Sequence, residues 1–437
     1  MTTRRPRSTR VAAWLDRWSA LLPLFGAEFV LYVGFGALLP VMPIYFTENG
    51  VDLALLGVVV AAWPAARLFT EPVFGVLADR TRRVPLLVAG LLVSGAGVGL
   101  SLVFVGAVPF LILRAVAGLG TAIYDPAARG YLADATPPER RGEAFGLYGA
   151  SQMGGLLFGP AIGGFGAAFF GGVEFVFVFS AVASLVAAIT IALRMAERPH
   201  HARVSGVPVT SATEFPGQGQ RVESDAAADR DSPAEPAGQA RGPMSLFNRM
   251  LIAALILNFG GFFSGGVYEV IWTLFLTSRG GGLDLVGLTF GIFGGVVLLA
   301  SPVAGRVVDK RGGYLFIVFG MLAIGAASFI YPLLAAPILA VPVVGMEALG
   351  IAVSSPAIFA VVAAGSPHGR SSTAQGIYGA AGTLGSILAS LLAGFLAAID
   401  IRYPFFVVVG VIAVVLVVGL AVGGRQLRTL GHAPARG

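Results

Sequence analysis

The sequence predicts an all-α membrane protein of twelve transmembrane helices, arranged as two pseudo-symmetric six-helix bundles. Three observations carry that prediction. Apolar residues make up 56% of the 437 residues and charged ones only 12%, with a mean hydropathy of +0.84. The apolar residues fall in about twelve blocks, each long enough for a ~30 Å hydrocarbon core and without core-facing/solvent-facing alternation. Finally, the second half of the chain repeats the first at a fixed distance. The period-two alternation that barrel strands require is missing.

The first span, 20–46, follows the basic segment "MTTRRPRSTR". It is too long, and too closely followed by a second span at 54–76, to be a cleaved signal peptide. Spans at 86–106, 109–132, 143–167 and 174–194 complete a first set of six. A second set follows at 250–276, 285–306, 314–333, 337–363, 373–397 and 404–424. The chain thus divides into an N-terminal cytoplasmic segment (1–19), a first bundle (20–194), a linker (195–249), a second bundle (250–424) and a tail (425–437). The linker is rich in Pro, Gly, Ser and mixed charge and has no long apolar run, so it reads as a largely disordered tether.

Charge placement sets the expected orientation. With both termini cytoplasmic, Arg4, Arg5, Arg7, Arg10, Arg80, Arg82, Arg83, Arg140, Arg141, Lys310, Arg311, Arg370, Arg425 and Arg428 all fall inside. Only Arg279 and Arg402 fall in external loops. This is the positive-inside pattern, and the expected location is the plasma membrane, crossed many times. The net charge of +6 therefore reflects topology rather than nucleic-acid binding.

The repeat is visible residue by residue. "EPVFGVLADRTRRVPLL" (71–87) aligns with "SPVAGRVVDKRGGYLF" (301–316), pairing Pro72 with Pro302, Gly75 with Gly305, Asp79 with Asp309 and Arg80 with Lys310. The offset of 230 residues recurs in "AFGLYGA" (144–150) against "AQGIYGA" (374–380), and in Pro126 with Pro356, Pro137 with Pro367 and Arg140 with Arg370. Parallel duplication of six helices is characteristic of transporters that rock two halves about a midplane site.

These motifs also carry a resemblance. "GVLADRTRR" resembles the loop signature between helices two and three of the major facilitator superfamily, through Gly75, Leu77, Asp79, Arg80 and Arg83. Arg82 stands where a second glycine is usual. The C-terminal echo keeps Gly305, Asp309, Lys310 and Gly312, with Gly313 in place of the later arginine. "RAVAGLGTA" is similar to the fourth-helix pattern of the drug–proton antiporter branch, through Arg114, Gly118 and Gly120. "GLLFGPAIGG" is similar to that branch's fifth-helix antiporter motif, through Gly155, Gly159, Pro160, Gly163 and Gly164. "GALLPVMP" resembles its first helix through Gly36, Pro40 and Pro43. The second half has "GSILASLLAG" at the fifth-helix position, an asymmetry that the resemblance associates with export.

The loop charges then read as a conformational latch of Gly75, Asp79, Arg80, Arg83, Gly305, Asp309 and Lys310, with topological anchoring as the plainer alternative. Asp79 is expected to pair with Arg80 or Arg83, or to accept from another helix's N-terminus. Within the spans, each ionisable group costs roughly 2.5–3.5 kcal/mol near the bilayer centre and so calls for a reason. Arg67 and Glu71, four residues apart, are expected to neutralise one another. Asp125, before Pro126, is expected to satisfy freed backbone groups. Neither Glu28 nor Arg114 has an opposite charge within a turn of its own helix, so each needs a partner elsewhere or a watery cavity. The resemblance implies that Arg114 lines the cavity and that Glu28 is a proton site, with Arg114 tuning it. Glu269, beside Tyr268 and Trp272, either binds a cationic lipophilic substrate through charge and cation–π contact or sits in an ordinary interfacial aromatic belt. Glu347 is a further proton or substrate candidate.

No catalytic constellation is present, and no enzyme activity is expected. Cysteine is absent, the four histidines (His200, His201, His368, His432) fall in cytoplasmic segments, and Lys310 is the sole lysine, which leaves no P-loop. No metal or cofactor is expected. The sequence points to a secondary active transporter: a proton-coupled exporter of small amphipathic or drug-like molecules, working as a monomer in the lipid bilayer. Uptake or facilitated diffusion of a nutrient is the alternative within transport. A membrane receptor, or an enzyme built on a transporter fold, is the alternative outside it.

Overall fold

The computed structural model describes Trp14 and residues 17–137, 140–197, 247–366 and 371–429. Among them there is no β-strand. The basic N-terminal arginines, most of the linker, the four histidines, Pro367 and Arg370 lie outside the described residues, as do the side chains of Arg141, Asp309 and Arg425.

The described chain forms the twelve expected spans. Helix α1 runs Leu22–Leu38 and, after a 48° bend, continues as Met42–Glu48. The bend falls where Pro40 interrupts the run and Pro43 restarts it, since proline offers no backbone donor to the preceding turn. The others are α2 (Leu53–Ala78), α3 (Arg83–Gly99), α4 (Ala107–Ala135), α5 (Arg141–Phe170), α6 (Glu174–Arg194), α7 (Arg249–Ser278), α8 (Leu283–Arg311), α9 (Tyr314–Ile330), α10 (Ala340–Gly365), α11 (Ser371–Ile399) and α12 (Tyr403–Thr429). Several outrun their apolar blocks by a turn at each end, because helix ends project into the polar interface. Local chemistry sets the boundaries. Asp52 caps α2 by accepting from Leu55 N at 2.8 Å, and Asn248 caps α7 by accepting from Leu251 N at 2.9 Å. Gly171, with φ of 71°, closes α5 in the left-handed conformation that favours glycine.

The duplication is built into the packing. A Cβ on Gly75 would meet Pro126 Cβ at 4.0 Å, and one on Gly305 would meet Pro356 Cβ at 3.9 Å, the same α2–α4 contact reproduced between α8 and α10. Likewise Gly90 and Gly120 bring α3 and α4 to backbone contact, as Gly320 and Gly350 do for α9 and α10. The glycines of the α5 motif serve the α1–α5 crossing: a Cβ on Gly159 would lie 2.6 Å from Val33 O and 2.7 Å from Gly36 Cα.

The two halves meet at the end remote from the chain termini, here called the outer end. There α2 packs on α11 and α5 on α8. Gly57 faces Ser390 and Gly394, and Gly164 faces Leu283 and Gly287, so that helices of opposite halves touch backbone to backbone. A hydrophobic cluster joins the halves at this end, running from Tyr45, Phe46 and Phe110 to Trp272, Phe275 and Phe405. A second cluster, around Trp18, Leu24, Leu87, Tyr124 and Tyr131 near the opposite (inner) end, is drawn from the first half alone. The molecule is therefore closed at its outer end.

The two kinds of glycine contact predict different failures. Gly159→Leu overpacks an interface within one half and should destabilise the fold by about 1–3 kcal/mol, read as a lowered thermal unfolding midpoint in detergent. Gly164→Leu obstructs only the contact between halves. It should leave the stability within about 1 kcal/mol of wild type while raising labelling of cysteines introduced on the outer side, a clean readout in a chain without native cysteine. Equal loss of stability in both variants would show the distinction to be wrong.

Candidate functional site

Five groups of polar side chains are held within or beside the spans, and each draws its partners from other helices.

The first bridges the halves. Arg114, on the outer part of α4, is buried, and its Nη2 reaches Glu269 Oε1 on α7 at 3.2 Å. The same nitrogen lies 3.3 Å from Val60 O, and the guanidinium stands 6.0 Å from the Trp63 ring centroid. The expected partnership of Arg114 with Glu28 is not formed; the arginine's acid comes from the opposite half. Glu269 has a specific partner beyond any interfacial belt. Its neighbour Tyr268 points elsewhere, because successive helical residues are about 100° apart. The Tyr268 hydroxyl lies 2.7 Å from Ser328 Oγ, and the Trp272 Nε1–H donates to Thr289 Oγ1 at 3.0 Å. Both rings thus turn into the second half's own core.

The second group surrounds Glu28, which is fully buried on α1. Tyr124 Oη (α4) donates to one carboxylate oxygen and Gln152 Nε2 (α5) to the other, each at 2.5 Å. Both donors are neutral.

The third group joins α2 to α4. Arg67 pairs with Glu71 at 3.2 Å as expected, but its nearer partner is the buried Asp125 at 2.5 Å. Asp125 thus serves an ion pair rather than the backbone freed by Pro126. Arg129 completes a four-membered network, reaching Glu71 at 3.4 Å and Asp125 at 3.5 Å, and Arg67 also stacks 4.9 Å from the Trp63 ring centroid.

The fourth group is Glu347 on α10, buried within the second half. Its Oε2 accepts from Tyr331 Oη at 2.7 Å, while its Oε1 has no hydrogen-bond partner among the described residues.

The fifth group is the inner loop between α2 and α3. Arg83 is buried and pairs with Asp134 of α4 at 3.1 Å and, more loosely, with Asp79 at 3.8 Å. Its guanidinium lies so close to Gly130 that any Cβ there would displace it. Glu197, just past α6, accepts from Arg83 N at 2.9 Å and Val84 N at 3.1 Å. A carboxylate on the first free N–H groups of a helix is the favourable arrangement for the helix dipole. Arg80 and Lys310 are exposed at this end, and Gly75 and Gly305 make the proline contacts described above.

Sequence reasoning missed Tyr124, Gln152, Arg129, Asp134 and Glu197. Neutral donors such as Tyr124 and Gln152 carry no cost that would flag them, and Asp134 and Glu197 lie near span ends where charges are ordinary. No group of three or more His, Asp or Glu residues able to hold a metal ion occurs among the described residues.

Residues 24–355 match the sequence profile of the Major Facilitator Superfamily. The chain is 32% identical over 169 residues to Multidrug resistance protein 2 of Bacillus subtilis, covering 37% of this chain and 40% of that protein. It is 28% identical over 137 residues to Quinolone resistance protein NorA of Staphylococcus aureus, covering 31% of this chain and 35% of that one. These alignments span about two-fifths or less of the curated relatives' length. Among solved structures, the fold is similar to that of a bacterial homolog of the human lysosomal transporter Spinster, with a TM-score of 0.71 at 14% identity, covering 94% of this chain and 97% of the other.

The inner-loop geometry makes a prediction. Asp134→Asn and Glu197→Gln should each lower transport at unchanged expression, and Gly130→Ala should do so by dislodging Arg83. A partly buried charged contact of this kind contributes about 1–3 kcal/mol, which corresponds to a rate loss of roughly fivefold or more if the contact is made in only one state. Wild-type transport by well-expressed Asp134→Asn and Gly130→Ala would mean that Arg83 only anchors the loop.

Proposed function

We propose that this chain, which belongs to the major facilitator superfamily, is a proton-coupled exporter of small amphipathic or drug-like molecules, moving them by alternating access across the plasma membrane with both termini cytoplasmic. The observation that carries this reading is the Arg114–Glu269 ion pair, the charged contact between halves at the closed outer end.

The coupling follows from what that pair requires. A cation beside a carboxyl competes with the carboxyl's proton. When the outer end opens, α4 and α7 part and Glu269 loses Arg114, so the acid is free to take up a proton from outside. Closing returns the guanidinium to Glu269 and expels the proton, now toward the inner side. A proton taken up outside and released inside is half of an antiport cycle. The other half is supplied by a substrate that enters from the inner side and, as an amphipathic cation, draws Glu269 away from Arg114. Breaking a buried pair on one side leaves an uncompensated charge, at a cost of about 3–5 kcal/mol. The halves therefore separate at the outer end only when proton or substrate replaces the lost partner.

Glu28 is the second proton site in this scheme. It is held by neutral donors on α4 and α5, and among the described residues no arginine lies within hydrogen-bonding distance of it. Movement of α4 during opening carries Tyr124 with Arg114 and alters both acids together. Support for export rather than uptake comes from the α5 glycine–proline motif, which the second half lacks, and from the multidrug and quinolone resistance proteins among the relatives. The inner-loop charges around Arg83 act as the latch that opposes inner closure, and the chain needs no cofactor, metal or catalytic group to do this work.

Two variants test the coupling in proteoliposomes loaded with ethidium, an amphipathic cation, under an imposed pH gradient. Arg114→Ala and Glu269→Gln should each lower gradient-driven export by about tenfold or more. The exchanged double variant, Arg114→Glu with Glu269→Arg, should recover part of the closed state by outer-side cysteine accessibility but not the coupling. Glu28→Gln should bind ethidium yet release fewer protons on binding. Normal coupling in Glu269→Gln would remove the ion pair from the mechanism, and flux only down the ethidium gradient would make the protein a facilitator.

A further inference from the structure

At the inner end of the first half, the residues leading into α1 pack against the turn between α4 and α5 and leave a cavity of about 150 Å³. Its walls include Trp18 and Thr136, only 3% and 4% exposed, with the apolar side chains of Leu21 and Ala135 beside them. The Trp18 Nε1–H and the Thr136 hydroxyl are both buried and have no hydrogen-bond partner among the described residues. Buried donors of this kind are almost always satisfied, and leaving them so is costly. Two exposed arginines, Arg17 and Arg140, border the same cavity from opposite segments of the chain. The acid next to it on α4, Asp134, is already engaged by Arg83.

Two hydrogen-bond donors without acceptors, flanked by two arginines, define a site for an anion with several acceptor oxygens. The cavity's place in the fold narrows the choice. It lies where α1 and α4 leave the apolar span, at membrane-interface depth, and Trp14, four positions before Trp18 in the sequence, is exposed. Tryptophan and arginine at that depth mark the headgroup layer. We infer that this cavity binds the phosphate group of an anionic phospholipid: Trp18 Nε1–H and the Thr136 hydroxyl donate to phosphate oxygens, and Arg17 and Arg140 supply the charge. The apolar rim at Leu21 and Ala135 accommodates the start of the acyl chains. A lipid held there would tie the entry of α1 to the α4–α5 turn, two segments that also carry Glu28, Tyr124 and Gln152 on their helices. The inference does not rest on the proposed transport activity.

Native mass spectrometry of the full chain, released from detergent with equal amounts of phosphatidylglycerol and phosphatidylcholine, tests this directly. Wild type should retain one phosphatidylglycerol in preference to phosphatidylcholine. Retention should fall about fivefold for each arginine neutralised in Arg17→Gln and Arg140→Gln. The charge-conserving Arg17→Lys/Arg140→Lys protein should keep most of it, which separates loss of binding from loss of folding. Trp18→Phe, which removes only the N–H, should weaken retention without changing the net charge. A third arm adds inorganic phosphate at millimolar concentration. Phosphate retained in the wild type with no lipid preference would keep the anion site but overturn its assignment to a lipid. Equal phosphatidylglycerol retention by wild type and by Arg17→Gln/Arg140→Gln would overturn the site altogether.

Discussion

Hydrocarbon provides no partner for a charge, so an ionised side chain buried within the spans has to be answered by another element of the protein. That constraint organises the structure more than any single motif. Arg114 is answered by Glu269 from the opposite half, Arg67 by Asp125 from a neighbouring helix, and Arg83 by Asp134 across the inner loop. Replacing a partner with water would cost several kcal/mol for a buried charge, far more than an exposed ion pair contributes. Each pair therefore fixes which helices lie together in the state where it forms. Where the pair joins two halves that move, it becomes a condition on the motion.

The duplicated scaffold and the charges it carries obey different symmetries. The small residues repeat faithfully: Gly75 and Gly305 on Pro126 and Pro356, and the glycine crossings of α3 with α4 and of α9 with α10. The charges do not. At the repeat positions of Glu28, Arg114 and Asp125 stand Asn258, Val344 and Ser355, while Glu269 and Glu347 fall opposite Leu39 and Ala117. Asn258 marks the divergence well, since it donates to Tyr378 O at 2.8 Å and keeps a helix contact without any ionisable group. Two bundles of equal shape can rock about a common axis, while their unequal charges give the two walls of the cleft between them different chemistry.

The fold was legible because its signals are long and redundant. Twelve apolar blocks, and a repeat whose prolines and glycines match at a constant spacing, leave little freedom in helix number or pairing. The first span reads as unbroken over 20–46, so its bend at Pro40 and Pro43 went unread, and Gly155, Gly159 and Gly163 marked a close helix contact without naming α1 as the partner. The site was legible only in part. Expensive residues announced themselves, so Glu28, Arg67, Arg114, Glu269 and Glu347 stood out from the sequence. Who partners whom did not, because a pairing such as Arg114 with Glu269 spans 155 residues and depends on how the two bundles meet. The Glu28–Arg114 expectation failed for that reason: two unpaired charges of opposite sign in one half were assumed to find each other, whereas the halves' contact offered Arg114 an acid from outside its bundle. Tyr124 and Gln152, being cheap to bury once hydrogen-bonded, left no trace.

The distribution of contacts between the two ends bears on how the motion is balanced. At the outer end the halves are joined by apolar packing, by glycine-mediated backbone contact and, among the described residues, by the Arg114–Glu269 ion pair. Packing without charge would make that closure permanent, since nothing a ligand brings could weaken it selectively. Charge alone would make it leaky, because water entering the gap would screen the attraction. Together they give a closure whose apolar part is broad and whose ion pair, in the proposed cycle, is the part that a proton or a cation would contest. The inner loop is arranged differently: Arg83 is seated on Gly130, clamped by Asp134 and tied through its backbone to Glu197, a described residue at the start of the linker. These contacts all lie within the first half or its exit, so in this state they hold α2, α3 and α4 together at the inner end. A ligand shifts an equilibrium only through its different affinity for the two states. In the proposed cycle that difference lies at one carboxylate, Glu269, for which Arg114 and a competitor would contend.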